Sequence, residues 1–264
     1  MSPALVRTPA VQHRPFGIEH PYATSADQRV PVLPADGERV RLGVVAAPDV
    51  VAVTCEWDSG EGAAERLALA PASTSAADAA ALAGGDGHLA EAQAAQLESD
   101  GAWSVTSPPV RAGEAVRYRF VSQTKDGDSE VTAWFSVSAG TWSGDGGLLT
   151  VGGVPACAHP RVVPGSVAWL RDADGLQRVR FALRLADAEH VVGFGERFDA
   201  VDQRGRRLDA VVFEQYKSQG AHGRTYLPMP FAHVVGGDGW GFHVRTSRRT
   251  WFDVGASAPD RLVV

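Results

Sequence analysis

Apolar and polar residues alternate in short segments along most of the chain. Val40, Leu42 and Val44 interleave with Arg39, Arg41 and Gly43, for example. A period of two residues places one set of side chains on a buried sheet face and the other in water, so these segments read as strands. In the first half they fall at 38–46, 50–57, 65–71, 101–107, 114–123 and 129–139. Sustained helical periodicity is nearly absent, and the expected class is all-β. Strands this short and closely spaced suit an immunoglobulin-like sandwich.

The pattern lapses at SAGTWSGDGGLLTVGG (138–153), where glycine and small polar residues crowd together. A second β unit is expected beyond it, with strands at 165–172, 177–185, 190–196, near 208–214, and at 230–237, 240–246 and 250–256. DADG (172–175) and GGDG (236–239) are hairpin turns by composition, since Gly and Asp tolerate positive φ. An alanine-rich piece, 76–99, is broken by a Gly-Gly-Asp-Gly and reads as an insertion in a loop. The expected plan is an N-terminal extension (1–30), an immunoglobulin-like module (31–140) and a second sandwich (148–264) whose completeness stays open.

Charge narrows the function classes. Residues 1–147 hold 10 basic and 19 acidic groups, net −9, and residues 148–264 hold 15 and 12, net +3. Neither half carries the dense basic field that nucleic acid requires. No apolar run could span a bilayer, and the first 22 residues lack the apolar core of a secretory signal, so no membrane partner and a cytoplasmic location are expected. Cys55 and Cys157 stand far apart, without metal-ligand spacing; one disulfide is conceivable, but two buried free thiols are the expected reading. No pair of histidines has the spacing zinc would need.

The stretch GFGERFDAVDQRG (193–205) draws attention as a possible phosphate loop or acid/base site. The dinucleotide fingerprint needs a third glycine at a fixed offset and a helix behind it, whereas Arg197 and Phe198 follow here. A Walker loop needs Gly-Lys-Ser/Thr, which is absent. A rigid corner remains: Gly193 and Gly195 allow close backbone approach, Phe194 and Phe198 pack on sandwich faces, and Glu196 and Arg197 form an ion pair or backbone bonds. Asp202, Arg204, Arg206 and Arg207 read as a hairpin with solvated charges.

Taken with TYLPMPFAHVVGGDGWGFHVRTSRRTWFDVG (225–255), the stretch resembles the N-terminal β-sandwich of glycoside hydrolase family 31, which is of the galactose-mutarotase-like type. The resemblance rests on Gly193, Gly195 and Glu196, on Tyr226, Pro230 and Phe231, and on the hairpin from Gly239 through Gly255, and it covers roughly residues 178–256. It implies a retaining α-glycosidase that uses neither metal nor organic cofactor, with two carboxyl groups about 5–5.5 Å apart on a (β/α)8 barrel. The barrel and its Trp-x-Asp-Met segment are not in these 264 residues, so the chain alone is expected to be inactive, to lack catalytic residues, and to need that domain as partner in cis or trans. Apolar surface left for a barrel would make it prone to aggregation.

The resemblance further implies that the loop 211–226 reaches toward an α-glycoside. Glu214, Gln215, Gln219, His222 and Arg224 would bond hydroxyls, and Tyr216 or Tyr226 would lie against a pyranose face. Two rivals stay open: a stand-alone carbohydrate-binding or partner-binding protein, and an aldose-mutarotase-like enzyme using Glu214 and His222 for proton transfer. Trp103, Trp134 and Trp142 could form a sugar platform or fill a core.

Overall fold

A computed structural model describes residues 9–17, 25–60, 62–71, 101–144, 149–212 and 225–264. The chain divides into two compact units, Met1–Thr141 with the turn Asp172–Gly175, and Trp142–Arg171 with Leu176–Val264. Apart from one 3-10 turn, Ala156–Ala158, the regular elements among the described residues are strands.

The strands of the first unit are β1 (Val11–Gln12), β2 (Arg29–Val30), β3 (Arg41–Ala46), β4 (Val50–Asp58), β5 (Glu65–Ala68), β6 (Ala70–Pro71), β7 (Ala102–Thr106), β8 (Val116–Thr124), β9 (Ser129–Val131) and β10 (Phe135–Val137). They form two five-stranded sheets, β1-β3-β7-β6 with β2 beside β3, and β10-β8-β4-β5 with β9 beside β8. Alternation explains the sandwich between them. Val40, Leu42 and Val44 from one sheet and Val53, Cys55, Trp57, Tyr118 and Phe120 from the other are buried in one cluster. Each such side chain contributes about 1.5–3 kcal/mol of burial.

Three features depart from the sequence reading. Residues set apart as an N-terminal extension supply β1 and β2, both antiparallel to β3. The segment 65–71 changes sheets at Leu69, and the segment 129–139 breaks into β9 and β10. At that break Thr132 Oγ1 accepts from the Phe120 amide (3.0 Å), taking the place of a ladder carbonyl. The alanine-rich piece lies outside the described residues.

The first core carries a polar chain. His13 is buried with Nδ1 2.7 Å from the Gly43 carbonyl and Nε2 2.9 Å from the Tyr118 hydroxyl. A carbonyl only accepts, so Nδ1 carries the proton and Nε2 accepts from Tyr118. The Tyr118 oxygen in turn accepts from Arg29 (3.4 Å), whose guanidinium also donates to the Val32 and Ser136 carbonyls. Burial pushes the His13 pKa down to about 4, against smaller opposing effects of the Gly43 bond and the Asp27 charge. Burial likewise raises the Cys55 thiol to about 12, and it is an inert core group. Cys157 is exposed, contrary to the expectation that both thiols are buried.

The second unit is built from β11 (Thr141–Gly144), β12 (Thr150–Val151), β13 (Val154–Pro155), β14 (Ala168–Asp172), β15 (Gly175–Arg180), β16 (Ala182–Arg184), β17 (His190–Gly195), β18 (Arg206–Ala210), β19 (Pro228–Val235), β20 (Trp240–His243), β21 (Thr250–Val254) and β22 (Arg261–Val263). The sheets β16-β22-β21-β18 and β17-β19-β20 face each other across a core of Leu183, Val191, Phe194, Leu208, Val234, Phe252, Val254 and Leu262. Small sheets β11-β14-β15 and β12-β13 complete it. The run 177–185 splits at Phe181: β15 pairs within its hairpin, whereas β16 joins β22, a strand the sequence pattern did not mark.

A buried carboxylate ties this unit together. Glu189 accepts from Arg161 (3.0 Å), from Trp240 Nε1 (2.8 Å) and from the Ala186 amide (2.8 Å), while the Arg161 guanidinium lies over the Trp240 ring. Burial alone would raise this carboxyl, but the bonds from Ala186, Trp240 and Arg161 outweigh it and hold the pKa below the usual range.

The His13 shift sets a pH dependence. Its folded pKa lies below the unfolded value near 6.5, so its contribution is complete above pH 6.5 and is lost as pH falls toward 4. Denaturant titrations should show up to about 3 kcal/mol of destabilisation over that interval, and His13→Gln should flatten it. Glu189→Gln leaves Arg161 without its counter-charge and should cost about 2 kcal/mol or more, read as a lower thermal midpoint of the second unit.

Candidate functional site

The corner at 193–198 is built by a slip in strand pairing. Gly193 lies opposite Ala232, and regular pairing would set Gly195 opposite Pro230, but it lies opposite Pro228. Met229, Pro230 and Phe231 therefore face the single residue Phe194. Three successive residues have positive φ: Gly193 (129°), Phe194 (64°) and Gly195 (90°). A Cβ on Gly195 would come within 1.8 Å of the Leu227 carbonyl oxygen, and one on Gly193 within 2.9 Å of the Phe231 oxygen. Only glycine fits at both. Phe194 tolerates the left-handed backbone because its ring is fully buried, 4.8 Å from the Phe252 ring and 6.0 Å from that of Phe242. Core packing offsets a backbone cost of about 1–3 kcal/mol.

Beyond the slip, the chain fastens both stems of the segment 211–226. Arg197 donates Nε to the Phe194 carbonyl (3.3 Å) and a terminal nitrogen to the Asp209 carbonyl (3.2 Å), at the end of β18 where the segment starts. The Glu196 amide donates to the Leu227 carbonyl (3.2 Å), where the segment returns. Backbone bonds, one of the two alternatives set out for this corner, thus hold it, and the Glu196 side chain is exposed. Phe198, expected on a sandwich face, is instead 60% exposed.

Of the predicted sugar-binding residues, Glu214, Gln215, Tyr216, Gln219, His222 and Arg224 lie outside the described residues. Tyr226 is described and exposed, beside exposed Leu227 and Met229. Val212 at the other stem and Val201 in the preceding turn are exposed as well. Pro230 accepts from the Val244 amide (2.8 Å), and half-buried Phe231 meets His233 and His243 edge-on. These positions frame the loop and carry apolar surface. Among the described residues no cluster of three His, Cys, Asp or Glu could hold a metal ion.

The charges of the following hairpin are exposed, as expected at Asp202, Arg206 and Arg207, but they are also paired. Asp202 accepts from the Val191 and Arg204 amides and pairs with His190 at 2.6 Å. Arg204 donates to the carbonyls of Ala186, Glu189 and Pro259. Arg206 pairs with Asp199 (3.0 Å) and Arg207 with Asp253 (3.1 Å). Gln203 is fully buried, its amide nitrogen donating to Asp199 and Ala200. Sequence reasoning missed these roles because the partners of Arg204 and Arg207 are remote and set by tertiary contact, and the polar run DAVDQRGRR does not show which of its own members pair.

The corner predicts an asymmetry between glycines. Gly205→Ala meets open space at φ 79° and should cost about 1–2 kcal/mol of conformational strain. Gly195→Ala adds a backbone clash to the same strain and should cost about 2 kcal/mol more, read as the difference between the two variants in chemical denaturation.

Two family models match the chain. One, described as the 1,3-alpha-isomaltosidase-like N-terminal domain, matches residues 17–122. The other, the glycosyl hydrolase 31 N-terminal galactose mutarotase-like domain, matches residues 91–253 and so includes the corner and both stems. A 1,3-alpha-isomaltosidase of Kribbella flavida is 58% identical over 257 residues, which is 96% of this chain and 33% of the relative. An isomaltosyltransferase of Sporosarcina globispora is 29% identical over 96 residues, 36% of this chain and 8% of that enzyme. The solved structure of a cycloalternan-degrading enzyme from Trueperella pyogenes, in complex with cycloalternan, superposes with a TM-score of 0.79 at 44% identity, covering 96% of this chain and 34% of that one. The chain spans about a third of the length of the most similar of these proteins. A family model that covers more than half of the residues, together with the sandwich and corner described above, establishes that the chain belongs to glycoside hydrolase family 31 and carries its N-terminal galactose mutarotase-like domain.

Proposed function

We propose that the chain is the non-catalytic N-terminal part of an α-glucoside-active enzyme, and that its second sandwich holds the loop 211–226 as one wall of a sugar pocket. The reaction would be hydrolysis or transfer of an α-linked glucosyl or isomaltosyl unit, carried out by two carboxylates of a (β/α)8 barrel. The observation that carries this reading is the double fastening of the loop stems by one corner, through Arg197 to Asp209 and through Glu196 to Leu227. A loop that contributes to a pocket has to be held at both ends, because displacement of a positioning group by about 1 Å can cost about 100-fold in rate. The exposed Tyr226, Leu227 and Val212 at the stems suit a surface covered by another domain and a pyranose. The relatives named above supply the substrate class, since their names specify isomaltosyl and cycloalternan chemistry.

The roles of Glu214, Gln215, Tyr216, Gln219, His222, Arg224 and Tyr226 as sugar-contacting groups form part of this proposal. It is tested by joining the chain in frame to the part of the Kribbella flavida enzyme that follows the matched span. The chain alone should release no sugar from a cyclic α-glucan, and the chimera should. Arg197→Ala in the chimera should lower kcat/KM by about tenfold, mainly by loosening the loop. A chimera indifferent both to Arg197→Ala and to replacement of 213–224 by a Gly/Ser linker would overturn the reading.

A further inference from the structure

The outer face of the sheet β10-β8-β4-β5 carries an ordered arrangement that neither the fold nor the proposed pocket requires. Trp134 immediately precedes β10. Its neighbour Phe135 packs on the core side, so the indole stands on the opposite, outer side. There it lies against two guanidiniums of β8, with Arg117 4.7 Å and Arg119 4.5 Å from the ring centroid. Residues two apart on a strand share a face, so both cations lie on the same side of the sheet. Trp134 nevertheless stays 37% exposed.

Each guanidinium is fixed by a carboxylate on β4, the next strand. Arg117 Nε donates to Asp58 (2.7 Å) and Arg119 Nε to Glu56 (2.8 Å), and these pairs sit directly opposite in the strand register. Arg66 on β5 bonds the second oxygen of Glu56 at 3.3 Å. The indole therefore rests on a lattice that is already ordered, and a ligand stacking on it would forfeit little side-chain freedom.

A shallow cleft of about 260 Å³ adjoins this row, lined by Ala52, Thr54, Arg66, Ala68, Val121 and Gln123. Arg66 belongs to both features, and Val121 and Gln123 continue the outward positions of β8 past Arg119. From Arg119 to Gln123 the strand advances about 14 Å at about 3.4 Å per residue, room for two or three linked pyranoses. The chemistry along that path is a flat apolar ring, then guanidinium and carboxylate edges, then hydroxyl and amide groups. That sequence matches the C–H face of a hexose followed by its hydroxyls, with neighbouring oxygens taken in pairs.

We infer that the Trp134 face of the first unit is a binding site for a neutral gluco-oligosaccharide chain, with Trp134 as stacking platform and Arg66, Thr54 and Gln123 bonding hydroxyls of the adjoining residues. The choice of an α-linked glucan rests on the proposed function above; the platform and cleft do not. An aromatic face that only braced the sheet would not need an adjoining hydroxyl-bonding cleft or an open ring surface.

Affinity electrophoresis of the 264-residue chain tests the inference, with dextran as the α-glucan and hydroxyethylcellulose as a β-glucan cast into native gels. Dextran should retard the native chain, Trp134→Ala should abolish the retardation, and Trp134→Phe should retain part of it, with the thermal midpoints of both variants unchanged. Gln123→Ala with Thr54→Val should weaken retardation about fivefold. Absence of retardation by both polymers, or equal retardation of native chain and Trp134→Ala, would overturn it, and Trp134-dependent retardation by hydroxyethylcellulose alone would uphold the platform and overturn the choice of an α-linked glucan. Equal retardation, with the chimera still sensitive to Arg197→Ala, would leave the pocket-wall reading intact. Conversely, Trp134-dependent retardation with an indifferent chimera would remove the pocket wall and keep the platform.

Discussion

The second sandwich depends on how closely β17 approaches β19 at Gly193 and Gly195. The backbone oxygens of Phe231 and Leu227 occupy the places where side chains would start, so the two strands pass at a distance that only glycine allows. That approach slips the pairing and turns Phe194 into the core. There it meets Phe242 and Phe252, which come from β20 and β21 and so from both sheets. One contact therefore sets the depth of the core and the direction in which the chain leaves it. The exit direction in turn brings Glu196 and Arg197 to the two stems of the same loop.

Around this corner the unit pairs its charges. Glu189, Arg161 and Trp240 join the turn before β17 to the β19-β20 hairpin, and Arg204 gathers carbonyls from three separate places. Such groups add little net stability when complete and cost much when broken, so they specify one arrangement of loops more than they strengthen the fold. The first unit does the same around an uncharged imidazole and a buried guanidinium. His13, Tyr118 and Arg29 form a chain whose proton positions are fixed by carbonyl acceptors, and burial keeps the imidazole uncharged at neutral pH.

The two units present different surfaces. The second presents stems and a corner, rigid backbone that positions a loop, with apolar side chains flanking it. The first presents a flat sheet face on which ion pairs between β8 and β4 hold an indole.

Much of this was legible in the sequence, and what was not has a common cause. Period-two alternation located most strands, because burial of one sheet face is a local property of each segment, and the ordered motifs from Gly193 to Gly255 identified the family. Glycine at 193 and 195 announced a close approach, although what it approached depended on register. Breaks within runs, at Leu69, Thr132–Trp134 and Phe181, left no mark in the pattern, since side-chain alternation is the same whether the hydrogen bonds move to another sheet, as at Leu69 and Phe181, or lapse and resume on β8, as at Thr132–Trp134. The strand Arg261–Val263 was too short to register. The roles of Glu189, Arg197, Arg204 and Trp134 were likewise invisible, because a charge reads as solvated until its partner is known, and their long-range partners stand 12 to 55 positions away along the chain. The sequence by itself determined where chain could be buried; only the tertiary structure decided which buried and charged groups met, because that depends on strand register and sheet pairing, which no single segment encodes.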